Sequence, residues 1–222
     1  MNRNEQILMT EEFVRQNQKG YDSGHDWWHI VRVRKMAKFI NEKEMLADPF
    51  TVDIAALLHD TADSKFAGKE IERSYLSIKE FLDRNEMSDL SDEVINVIKN
   101  VSFSSKNKKE NPDDRLLWVI QDADRLDAIG AIGIARAFNY GGFRNNKIYI
   151  PEGINHGERV EGFSKSGTSS TISHFYEKLL LLKYRMNTLT AKKLAAERHE
   201  FLEVYLNQFY KEWDFNSESY PF

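Results

Sequence analysis

The chain contains no cysteine among its 222 residues. That excludes disulfides, thiolate nucleophiles and cysteine-based zinc knuckles, and leaves His, Asp and Glu to hold any metal ion. Proline and glycine are also few, 4 and 11, and alternating apolar and polar positions of the kind a strand needs are scarce. No apolar run approaches the roughly 18 residues of a membrane span. The opening stretch MNRNEQILMTEEF has no apolar core of a secretory signal, so a cytoplasmic location without a membrane partner is expected. Positive charge is not in excess either: the formal net charge is −4 and the pI about 5.9. A broad electrostatic grip on a nucleic acid polymer is therefore not expected, whereas a small anionic ligand needs only a few local cations.

What the chain does have is apolar residues at spacings of three and four along nearly its whole length, which predicts an all-α, single-domain helical bundle. Asp48 before Pro49 reads as an N-cap and first-turn proline, opening a helix through Val52, Ile54, Leu57 and Leu58 that ends near His59-Asp60. Ile71, Tyr75, Ile78 and Leu82 mark another helix. Val94, Ile95, Val97, Ile98 and Val101 mark a further one, with Ser91 as its cap. From Leu116 to Tyr140 the pattern predicts one central buried helix, closed by Gly141-Gly142 at its C-cap. Gly130 and Gly133 inside it imply close packing, since each costs roughly 1 kcal/mol relative to alanine in a helix. Residues 141 to 170 are polar and glycine-rich, longer than an ordinary connector, and read as a lid or mobile excursion with a short strand at Lys147 to Ile150. Two long helices close the chain, one through Ile172, Phe175, Leu179, Leu182 and Met186, the other after Thr190 through Leu194, Phe201, Tyr205, Phe209 and Trp213.

Three short stretches carry candidate chemistry: His29 in HDWWHIVRV, His59-Asp60 in AALLHDTADSKF and Asp124 in VIQDADRLDAIG. Two neutral imidazoles and two carboxylates make a mixed nitrogen and oxygen shell suited to borderline or hard divalent ions, and four protein ligands leave an octahedral ion two open positions. Each residue also has a plainer reading. A histidine on an amphipathic helix is commonly a hydrogen-bonded core or surface residue. His59 at a helix C-terminus suits a cation, and Asp124 among Val119, Ile120, Ala123, Leu126 and Ile129 suits a buried salt bridge with Arg125 or another arginine. Adjacent helical residues point about 100° apart, so Asp122 cannot share the face of Asp124, whereas Asp127, three residues on, can and reads as a second-shell residue orienting a ligand or water.

His174, Lys178 and Arg185 fall at i, i+4 and i+11 and form a stripe able to bind phosphate, or equally a row of solvating cations. His25 and Arg32 flank His29 and reach either substrate or surface partners. Trp27, Trp28 and Tyr140 are candidates for stacking on a base, with core packing the alternative.

In this order the residues resemble the HD superfamily of metal-dependent phosphohydrolases, whose motif is a histidine, a His-Asp pair and a distant aspartate on successive helices. GHDWWHIVRV, LLHDTADSKF, QDADRLDAIGAIGIARAF and SSTISHFYEKLLLLKYRMNT together look like a bacterial branch of small single-domain HD proteins.

The resemblance implies an HD-type bundle with His29, His59, Asp60 and Asp124 as metal ligands. It implies hydrolysis of nucleoside triphosphates to monophosphate and pyrophosphate by metal-activated water, with a small nucleotide as the partner molecule. Mn2+ is the favoured ion, with Ni2+, Co2+, Fe2+, Zn2+ and Mg2+ as alternatives, because imidazole ligands disfavour a magnesium-only site. Asp63 stands where the (p)ppGpp hydrolases of the superfamily carry a glutamate that helps activate water, which implies a general acid/base role alongside Asp60, with Lys65 beside it for phosphate. Those hydrolases follow the glutamate with an aspartate, where this chain has Ser64, a departure that counts against ppGpp as substrate. A turn-capping aspartate is the structural alternative for Asp63. Nucleotide monophosphatase, cyclic-nucleotide phosphodiesterase and a non-enzymatic nucleotide-sensing or protein-binding module remain the competing functions.

Overall fold

The computed structural model describes residues 1–17, 26–62, 71–101, 113–151 and 170–215. Asp63, Lys65 and His25 lie outside them, as do residues 152–169, most of the expected lid. The described chain is all-helical, as expected. It divides into two compact units, Met1–Arg125 with Met186–Ala191, and Leu126–Arg185 with Lys192–Phe222.

The first unit is built around α3, Pro49–Leu58. Asp48 caps it by accepting from the Thr51 amide at 3.0 Å, and every residue from Thr51 to Leu58 is buried. A helix apolar on all sides has to be surrounded. It packs against α1 (Arg3–Asn17), α2 (Trp27–Glu44) and α5 (Ser91–Asn100). The one acid in its core-facing run, Asp53, is 3% exposed and is paired by Arg34 and Lys38 of α2, while Arg34 also donates to Glu11 of α1 at 2.5 Å. Three helices are thus tied through one buried carboxylate, which without those cations would carry a desolvation cost of several kcal/mol. α4 (Ile71–Arg84) buries Ile78 and Leu82 as its periodicity predicts. A 3-10 turn, Ser88–Leu90, runs straight into α5, because Leu90 already has helical backbone angles. Ser91 is therefore the first residue inside that helix and not its cap, contrary to the sequence reading.

The expected single helix from 116 to 140 is two helices, α6 (Arg115–Asp127) and α7 (Gly130–Phe143). The chain breaks at Gly130, whose φ of +73° is a left-handed conformation that a β-carbon disfavours. Gly133 then brings α7 against the break: a β-carbon there would lie 2.3 Å from the Ala128 carbonyl oxygen. Arg198 secures the freed end of α6 by donating to the Leu126 carbonyl at 2.5 Å, a cation placed where the helix dipole is negative. α7 passes through Gly141-Gly142 and stops two residues beyond the expected cap.

Also within the second unit, α8 spans only Thr171–Glu177, and Leu179–Arg185 is a 3-10 helix. Lys178, at φ −138°, leaves the helical region and ends α8. The i, i+3 spacing that suggested one long helix serves a 3-10 helix as well, where Leu179 and Leu182 eclipse and are both buried. In place of the short strand at 147–150 there is one parallel bridge, Lys147 with Ser170. The carbonyls of Lys147 and Ile148 accept from the first amides of α8 at 2.9 and 3.0 Å, and Tyr149 is held edge-on by Phe209, Tyr210 and Trp213. The last helix, α9, is Leu189–Asp214.

Candidate metal centre

Asp26 caps α2 by accepting from the His29 amide at 2.8 Å, which fixes the first turn and points the His29 side chain inward, fully buried. Its neighbours divide: Trp27 lies under the Arg15 guanidinium at 3.8 Å, and Trp28 is 64% exposed. From the neighbouring helix, the unbroken apolar run of α3 delivers His59 as its C-cap residue, 3% exposed. The His59 Nδ1 is 2.8 Å from the Ala56 carbonyl oxygen. A carbonyl only accepts, so in the neutral ring Nδ1 carries the proton and Nε2 presents its lone pair. That Nε2 is buried and has no hydrogen-bond partner among the described residues. The two imidazole rings meet edge to face with centroids 5.3 Å apart, and Asp124 of α6 places Oδ1 3.5 Å from the His29 Nε2.

One donor atom from each of His29, His59 and Asp124 lies within 4.8 Å of the others. Two imidazole nitrogens and a carboxylate oxygen form a chemically suitable partial shell for a divalent ion, and a buried, unpartnered Nε2 is a lone pair that such an ion would satisfy. Asp60 is half-buried in the turn after α3 and is not one of these three. Arg32 is half-buried on α2, one turn beyond His29.

The remaining sequence candidates belong to the second unit. His174 is on α8, Lys178 at its C-cap and Arg185 at the end of the 3-10 helix, so the straight α-helical stripe expected of them does not form. Asp127 is 5% exposed and accepts from Arg136 at 2.8 Å. Tyr140 is 38% exposed on α7.

Asp122 was set aside by sequence because it faces away from Asp124, and it does, but it is far from idle. It is fully buried and accepts from the amides of Asn187 at 2.9 Å and Thr188 at 2.7 Å and from the Asn187 side chain at 3.0 Å, with Arg125 3.8 Å away. Burial pushes its carboxyl upward, opposed by those amides and by Arg125. Its partners lie 65 and 66 residues along the chain, so local pattern could not reveal them.

A model of the HD domain matches residues 27–129, from the start of α2 to the break after α6, and so spans His29, His59, Asp60 and Asp124. The protein YpgQ of Bacillus subtilis is 40% identical over 195 residues, 86% of this chain and 85% of its own. This chain belongs to the HD-domain family. Among solved structures, an HD-superfamily hydrolase from Bacillus thuringiensis matches with a TM-score of 0.74 and 36% identity over 97% of this chain and 100% of its own. YpgQ in complex with ADP matches with a TM-score of 0.73 and 38% identity, covering 93% and 97%.

Proposed function

We propose that this HD protein is a metal-dependent phosphohydrolase that cleaves nucleoside triphosphates to a monophosphate and pyrophosphate. The observation that carries the reading is the convergence of the His29, His59 and Asp124 donor atoms within 4.8 Å, around a buried Nε2 with no hydrogen-bond partner among the described residues. Asp60 completes the ligand set from the turn after α3 in this reading. When bound, a divalent ion polarises a phosphoryl oxygen and makes water a stronger acid at neutral pH. The imidazole donors favour Mn2+ and later divalent ions over Mg2+.

The chain's own groups have defined tasks. Ala56 holds the His59 ring in the Nδ1-protonated form, Asp124 supplies negative charge against a cation, and Asp63 takes the proton from the attacking water. The water oxygen bonds to the α-phosphorus, the bond from that phosphorus to the bridging oxygen breaks, and pyrophosphate leaves. Lys65, His25 and Arg32 offset phosphate charge. The ADP held by YpgQ supports a nucleotide as ligand.

The test is chromatography of the products after metal-stripped protein is incubated with nucleoside triphosphates, monophosphates, a cyclic nucleotide and ppGpp, with Mn2+ restored and Asp124→Ala as the control. Monophosphate plus pyrophosphate from a triphosphate, lost in the variant, is expected. Inorganic phosphate from a monophosphate, a linear product from the cyclic nucleotide, or pyrophosphate from ppGpp alone would reassign the substrate. No turnover of any of them would contradict a hydrolase.

A further inference from the structure

The helix that carries Asp124 is gripped on its opposite side. Gln121 and Asp122 are neighbours on α6, three and two residues before Asp124, and both reach across to the same short segment ahead of α9. Asp122 accepts from the amides of Asn187 and Thr188, and the Asn187 side chain donates to the Gln121 Oε1 at 3.2 Å. Gln121 in turn donates to the Asn100 carbonyl at the end of α5, at 2.9 Å. The first turn of α9, which follows directly, is tied to α2, because the Thr190 amide donates to the Glu44 carboxylate at 2.6 Å. The helix bearing His29 and the helix bearing Asp124 are thus fastened to one stretch, residues 187–190.

We infer that Asp122 is a positioning residue for the metal centre, fixing the rotation of α6 so that Asp124 faces His29 and His59. A helix held only by apolar contacts can roll by tens of degrees at modest cost, but a fully buried carboxylate that accepts several hydrogen bonds cannot leave them without being desolvated and unpaired. Two residues on a helix differ by about 200°, so the direction of Asp122 toward residues 187 and 188 sets the direction of Asp124. Donor atoms gathered within 4.8 Å tolerate little such rotation. The inference rests on the metal reading above, and it adds a residue that touches neither the ion nor the substrate.

The experiment is a Mn2+ titration of metal-stripped wild type, Asp122→Asn, Asn187→Ala and Leu82→Ala, each with its melting temperature. Asp122→Asn preserves shape but turns an amide toward the Asn187 and Thr188 donors. It should weaken Mn2+ binding by about tenfold or more, in the range seen when outer partners of a site are lost. Asn187→Ala keeps the backbone donors and should fall between it and wild type. Leu82→Ala removes a buried side chain from α4 and should lower the melting temperature while leaving Mn2+ affinity intact. Wild-type Mn2+ affinity in folded Asp122→Asn would overturn the inference alone. If Asp122→Asn does not fold, wild-type affinity in Asn187→Ala would do the same. A wild type that binds no Mn2+ would overturn the metal reading and this inference together.

Discussion

The Nδ1 of His59 lies 2.8 Å from the carbonyl oxygen of Ala56, three residues back in the same helix. The contact sets which nitrogen faces the centre. It predicts that in metal-free protein the neutral ring is the Nδ1-protonated tautomer, with its lone pair on Nε2. Nitrogen chemical shifts of the labelled imidazole read this directly. An Nε2-protonated ring would contradict the geometry, since that form would set two lone pairs against each other at Ala56.

The break between α6 and α7 makes a second prediction. Gly130→Ala places a β-carbon on a left-handed residue and should cost about 1–2 kcal/mol. Gly133→Ala forces that carbon against the Ala128 carbonyl and should cost about 1–3 kcal/mol. Gly142→Ala meets nothing within 4 Å and should hold or raise stability, by up to about 1 kcal/mol. Thermal melting of the three variants separates the cases, and equal melting for Gly133→Ala and wild type would show that α7 does not approach the break as described.

His199 supplies a pH dependence. It is 5% exposed, its Nδ1 is buried without a hydrogen-bond partner among the described residues, its ring abuts Tyr184, and its Nε2 is 3.4 Å from Glu203. Burial, and then Lys183, hold its pKa below the ordinary value, against the opposing pull of Glu203 and Glu200. Because the folded value lies below the unfolded one, about 6.5, the stability it contributes is full above that pH and declines as the pH falls through it. Melting temperatures of wild type and His199→Phe between about pH 7.5 and 5.5 should therefore converge toward the acid end if the wild type starts higher. Parallel curves would show that His199 is not the titrating group.

The parts of the fold legible in sequence were those set by local chemistry. Asp48-Pro49 and His59 bracket α3, and Ile78 and Leu82 lie on the buried side of α4, because capping and periodicity act over a few residues. The break at Gly130 was not legible, since a glycine inside an apolar helical pattern reads the same whether its φ is negative or positive. The 3-10 helix at 179–185 was hidden for a similar reason: leucines three apart fit either helix. Of the site, His59 and Asp124 stand out as polar groups placed among apolar neighbours and His29 by its place in the HD-type motif, and the structure brings those three together. Asp122 escaped because its significance lies in Asn187 and Thr188, far along the chain, where no local signal points back to it.

In the proposed function, His29, His59 and Asp124 hold a divalent ion. The most direct test of this assignment is an electron paramagnetic resonance titration of metal-stripped protein with Mn2+, comparing wild type with His59→Ala of matched circular dichroism. Saturable binding to wild type and at least a tenfold loss in the variant are expected, since the variant lacks the buried Nε2 that has no hydrogen-bond partner among the described residues. Equal affinity in the two proteins would contradict it.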